Sequence, residues 1–201
     1  EFRVVDLSKP ETEWNEAIKS LENILPHKIA LYDRREVEEA VLNTFEAVKD
    51  REDRDTNHEE HDIFLILVGI HRAAKLRSLD GYTYAEAAEQ LFYILSNGPE
   101  AGVFVICWGD TVKNINRVLS RNMYEFGSRV ALMTTVSDSN DLIDSSEASK
   151  LGKFKAILYD EEQSGELEKF RPYALPQQEW LQSVGENLYR RALIVDRRKD
   201  R

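Results

Sequence analysis

Imidazoles and carboxylates crowd together once, at His58-Glu59-Glu60-His61. Such a set could hold zinc, but the helical zinc-protease pattern needs histidines four apart on one face, and these stand three apart. They also fall in Lys49–Asp62, which carries Arg51, Glu52, Asp53, Arg54 and Asp55 and almost nothing apolar. That composition predicts a surface loop outside the core, and no metal site is assigned. Cys107 lies inside an apolar run, where a thiol acts as a small hydrophobe, and no G-x-S-x-G elbow supplies another nucleophile. Covalent catalysis is not expected. His71-Arg72 follow the most apolar run and read equally well as ligand-facing groups or as a capping pair. Asp138, Asp141 and Asp144 recur at three-residue intervals, either as a cation- or base-binding face or as caps and turn residues. No G-x-x-x-x-G-K-[ST] or G-x-G-x-x-G loop occurs. Leu151-Gly152-Lys153-Phe154 comes nearest and lacks the upstream glycine and the hydroxyl residue.

The elements that must position these groups alternate between two periods. Short runs rich in Val, Ile, Leu and Phe predict strands at Phe2–Leu7, Lys28–Tyr32, Ile63–Gly69, Val103–Trp108, Arg129–Val136 and Phe154–Tyr159. Their near-continuous apolar character is that of strands buried on both faces. Helical spacing predicts Glu11–Leu25, with Arg34–Lys49 behind an Asp33 cap, then Tyr84–Ser96 and Thr111–Leu119. A final helix, Gln177–Val195, opens behind Pro176 and offers Trp180, Leu181, Val184, Leu188 and Leu193 for packing. The expectation is an α/β fold with three αβα layers around a mostly parallel sheet. In such sheets ligands gather where strands end, here Gly69-Ile70-His71-Arg72, Gly109-Asp110-Thr111 and Ser137-Asp138-Ser139.

Length fits one domain over residues 1–201, with a core to about 175 and the last helix over about 177–198. With 27 basic against 37 acidic residues the net charge is −10, which repels polyanions overall. Basic clusters at Arg117–Arg121, Arg190–Arg191 and Arg197–Arg201 read first as solvated faces. A single cysteine points to a reducing compartment, hence the cytoplasm. No apolar run nears the roughly 20 residues of a membrane-spanning helix, so no membrane insertion is expected.

Several runs are more particular than composition. Asn97-Gly98-Pro99-Glu100-Ala101-Gly102 leads into Val103–Trp108, and an arginine-led strand opens at Ser128-Arg129-Val130. Asp138-Ser139-Asn140-Asp141-Leu142-Ile143-Asp144 and Glu147-Ala148-Ser149-Lys150-Leu151-Gly152 follow. In order and spacing, over roughly residues 63 to 160, these resemble the FtsK/SpoIIIE branch of RecA-like P-loop ATPases. They are similar to its strand of the type that ends in A-T-Q, its D-S-x-x-I-L-D element and its G-A-E-K-L-L-G element. Phe2–Asp6 resembles the strand after that family's first helix, so the Walker A strand, loop and helix would precede Glu1. The resemblance implies an oligomeric ring, with ATP and Mg2+ as cofactors once the Walker A segment is present.

Departures fall where hydrolysis is organised. Val68-Gly69 occupy the Walker B end, where the family carries Asp-Glu for magnesium and the attacking water. Trp108-Gly109 replace its Thr-Gln sensor, leaving Asp110 and Thr111 as the polar groups near a nucleotide. The resemblance places Arg129 near subunit contacts and offers Arg117 and Arg121 as DNA-facing charges. Three readings result. The chain is part of an ATP-binding module for DNA translocation or segregation, or a degenerate module that binds a partner protein in a secretion-type ATPase, or a scaffold in a ring.

Overall fold

The computed structural model describes residues 1–8, 13–54, 61–78, 83–163 and 165–199, with side chains described as far as residue 192. Four predicted strands form one parallel sheet. They are β1 (Phe2–Asp6), β2 (Ile29–Tyr32), β3 (Ile63–Val68) and β4 (Val103–Trp108), ordered β2-β1-β3-β4. Between them run α1 (Glu13–Ile24), α2 (Val37–Arg54) and α3 (Glu86–Asn97). The α/β class with a mostly parallel sheet is therefore observed.

Register explains the layers. Val5, Leu65, Leu67 and Val103 share one face of the sheet and are buried with Val41 and Val48 of α2 and Leu91 and Ile94 of α3. The opposite face carries Phe2, Phe64 and Phe104 side by side, their rings stacked with centroids 5.5 Å apart at each step. Helix α1 meets this second face at β1, where Asn15 donates to Asp6 at 2.8 Å. Over β4 the face stays uncovered, and Phe104, Ile106 and Trp108 are 37, 50 and 51% exposed. Strands of parallel sheets are normally covered on both faces, so this open stretch is unusual.

After β4 the chain forms α4 (Val112–Leu119) and a 3-10 turn (Ser120–Glu125), then enters a second sheet. This sheet is antiparallel, ordered β5-β6-β7, from β5 (Ser128–Leu132), β6 (Ala156–Asp160) and β7 (Glu166–Phe170). It shares a small core of Ala131, Ile143, Ala148, Leu151 and Ile157 with α5 (Val136–Ile143) and a 3-10 turn at Ser146–Lys150. Strand β5 stops at Leu132, short of the predicted Val136. Thr135 there accepts from the Asp138 N–H at 3.1 Å and caps α5, so Val136 begins a helix. Asp138 and Asp141 consequently lie on α5, and Asp144 is its left-handed cap residue.

Two further expectations are corrected. Helix α2 runs through Lys49–Arg54 instead of ending at a surface loop, and Arg51 is buried. Its guanidinium donates to the carbonyls of Ala101 (2.8 Å), Gly102 (3.2 Å) and His61 (2.7 Å), which offsets the cost of burial. His58, Glu59 and Glu60 lie outside the described residues. The last helix, α6 (Gln178–Lys199), packs through Leu181 and through Gly185 against Ile24, while Trp180 is 60% exposed rather than packed. Helix α2 begins at Val37, three residues after the expected Arg34, so Asp33 stands in the turn before it: its carboxylate accepts from the Arg35 N–H at 2.6 Å and its own N–H donates to Glu36 at 2.7 Å.

Candidate functional site

The carboxyl ends of β3 and β4 are brought together by the pairing of Val68 with Trp108. Val68 is half-buried, its carbonyl accepting from Leu7 N–H at 2.9 Å, and Gly69 donates to the Trp108 carbonyl at 2.9 Å. Gly69 has φ 80°, a left-handed backbone that favours glycine, and it turns the chain into a 3-10 turn at Ile70–Arg72. That reversal buries Ile70 and His71 instead of aiming them along the strand.

His71 Nδ1 lies 3.6 Å from Asp110 Oδ1 and has no hydrogen-bond partner, while the ring sits edge-on to Trp108 at 5.9 Å. The His71 carbonyl accepts from the Arg77 guanidinium. Asp110 is held from the other side, by the Thr111 N–H at 2.7 Å and by Asn114 Nδ2 at 3.1 and 3.2 Å. Partial burial pushes its carboxyl up, but the hydrogen bonds from Asn114 and Thr111, with His71 nearby, prevail and hold it below the usual carboxylate range. Thr111 caps α4 by accepting from the Asn114 N–H at 3.3 Å. Gly109 allows the close approach, since a Cβ there would lie 2.4 Å from Ile115.

The structure thus gathers Val68, Gly69, His71, Asp110, Thr111 and Trp108 at one strand edge. Asn114 and Arg77 were missed in the sequence, although the Thr111-x-x-Asn114 spacing is a capping signal. Arg72 turns toward a cleft on the β2 side of the same edge. Arg117 and Arg121 are exposed on α4 and the turn after it. Arg129 is buried, donating to the carbonyls of Phe126 (2.8 Å) and Leu142 (3.3 Å) and pairing with Glu161 at 3.1 Å. Its guanidinium also lies over Tyr159, so within this chain it ties β5 to α5 and to the start of the β6–β7 turn.

Chemically this edge holds an imidazole, a carboxylate and a hydroxyl. The carboxylate is committed to a helix cap, and none stands at the end of β3. Among the described residues no group of three or more His, Cys, Asp and Glu side chains could hold a metal ion. The residues at the end of β3 therefore do not fit a magnesium–nucleotide site by themselves, and no step through ATP is derived from them.

A parallel four-stranded sheet with helices packed against it and a polar strand edge is an α/β architecture. Solved structures share this fold. The cytoplasmic domain of the Thermomonospora curvata type VII secretion ATPase EccC matches 93% of this chain at 15% identity, with a TM-score of 0.63. The pCW3 conjugation coupling protein TcpA, solved as a monomer with ATPγS, matches 94% at 9% identity, with a TM-score of 0.64. EssC, ATPases 2 and 3, from Geobacillus thermodenitrificans matches 93% at 10% identity, with a TM-score of 0.59. The chain spans 24%, 56% and 37% of those three chains, in that order. No protein-family model matches the sequence. No curated protein matches it either. No helix among the described residues is long and apolar enough to cross a membrane.

Proposed function

We propose that this chain is a catalytically degenerate FtsK/SpoIIIE-type module that works by binding a partner protein inside a cytoplasmic, oligomeric secretion- or conjugation-type machine. The observation that carries this reading is the end of β3, where Val68 and a left-handed Gly69 stand and no carboxylate is placed to organise a metal or a water. One of the structural neighbours is named as a type VII secretion ATPase, one as a conjugation coupling protein and one as ATPases 2 and 3 of EssC, which supports a place in a multi-domain assembly. The face and edge of β4 that no described residue covers or pairs support a further strand and helix from outside residues 1–201. On this reading that segment carries the phosphate loop, and ATP with Mg2+ binds only when it is in place.

ATP turnover by the protein in its full-length form, with and without DNA, tests the proposal. Nucleotide binding without turnover is the expected result, and robust DNA-stimulated hydrolysis would overturn it. One observation favours the competing reading, ATP-driven movement of DNA. Arg117 and Arg121 are exposed and have no ion-pair partner among the described residues. If they face DNA, R117Q/R121Q will weaken duplex binding and flatten its salt dependence. If the chain binds protein instead, the parent will show no salt-dependent DNA affinity to lose.

A further inference from the structure

The carboxyl ends of β1 and β2 open into a cleft of about 1230 Å³. Its walls come from α1, from the turn into α2 and from the segment after β3. Among the described residues, five basic side chains line it (Lys19, Arg34, Arg35, Arg72 and Lys75) against three acidic ones (Asp6, Asp33 and Glu36), a local positive excess in a chain of net charge −10.

The acids are already engaged. Asp6 accepts from the Ser8 N–H and from Asn15, both at 2.8 Å, and Asp33 and Glu36 hold the turn that leads into α2. Lys75 pairs with Glu38, and Lys19 lies close enough to help hold Asp6 ionised. The guanidinium groups of Arg34, Arg35 and Arg72, by contrast, have no hydrogen bond or ion pair among the described residues. Three planar forks left over in one cleft match oxyanions that can accept two hydrogen bonds from each. The first turn of the 18-residue α2 borders the same space through Val37 and adds the positive end of its dipole.

We infer that this cleft is an anion site for a small molecule bearing at least two phosphoryl groups, independent of any nucleotide held at the end of β3. Phosphate suits it better than carboxylate, because each phosphoryl group offers up to three acceptor oxygens and nearly two charges to the three arginines. The volume exceeds what a single phosphate would fill and suits a nucleotide-sized organic phosphate.

The test is calorimetric titration of the full chain with inorganic tripolyphosphate, using citrate as the tricarboxylate comparison. Tripolyphosphate should bind, more weakly as salt rises, and R34Q/R35Q/R72Q should lose at least about tenfold in affinity, the scale of one charge-assisted contact. R117Q/R121Q should bind as the parent does. Equal affinity for citrate, undiminished binding by the triple variant, or loss in R117Q/R121Q would overturn the assignment. Arg34 is exposed, so the single Arg34→Gln leaves packing untouched and decides the matter should the triple variant be less stable.

Discussion

Replacing Arg51 by methionine removes a buried cation while keeping most of its aliphatic stem. The guanidinium serves three carbonyls, and one of them, Gly102 O, also accepts from the Ile63 N–H at 3.0 Å. Ala101 O and His61 O have no other donor among the described residues. Each carbonyl stripped of its partner costs about 1–3 kcal/mol, so the pair predicts a loss of roughly 2–6 kcal/mol. At about 2–4 °C per kcal/mol for a domain of this size, a loss near 3 kcal/mol lowers Tm by roughly 6–12 °C. Urea unfolding followed by far-ultraviolet circular dichroism measures it. Arg51→Lys reaches one carbonyl and should fall between parent and R51M. Arg54→Met, on the exposed end of the same helix, should stay within about 0.5 kcal/mol of the parent. If R51M unfolds within about 1 kcal/mol of the parent, or alongside R54M, the account of α2 as a helix pinned by Arg51 is wrong.

Burial pushes the Glu1 carboxyl up, but hydrogen bonds from Lys28 and Arg3 outweigh it and hold the group at about 2 against an ordinary 4.5. A depressed carboxylate contributes stability above its unfolded value, so this contribution is complete above about pH 4.5 and disappears as pH falls toward 2. Thermal unfolding between pH 7 and pH 3 should show a shallower acid decline for Glu1→Gln than for the parent. Burial pushes the half-buried Cys107 thiol up, so a thiol reagent should label it more slowly than a free cysteine, and labelling of the native chain at the free-cysteine rate would contradict that environment. Ile106→Gln on the open face of β4 should reduce binding of an apolar dye while costing less than about 1 kcal/mol in urea unfolding.

Six of the seven strands were legible because they read as apolar runs, the four parallel strands of the first sheet together with β5 and β6 of the antiparallel one. The seventh was not. In Glu166-Leu167-Glu168-Lys169-Phe170 only Leu167 is half-buried, and the strand exists because β6 offers it an edge. The end of α2 was misread for a related reason, since Arg51 is buried by hydrogen bonding to backbone carbonyls, which charge and hydropathy do not reveal. Val136 was misread through its own β-branched side chain, although Thr135 and Asp138 stood at capping spacing. The strand-end rule located the right edge. It could not pair His71 with Asp110, because that neighbourhood depends on the register of Val68 with Trp108. The three unpaired arginines of the β1–β2 cleft were invisible for the same reason, being drawn from segments that meet only in the fold.

The left-handed backbone at Gly69 also bears on how this lineage can change. A glutamate substituted there would sit at φ 80°, strained by about 1–2 kcal/mol, and the turn that follows would still direct the chain into the interior. An acid in place of Val68 would enter a position paired to Trp108 and Asp6. A metal-binding end on β3 therefore demands a rerouted backbone as well as new side chains.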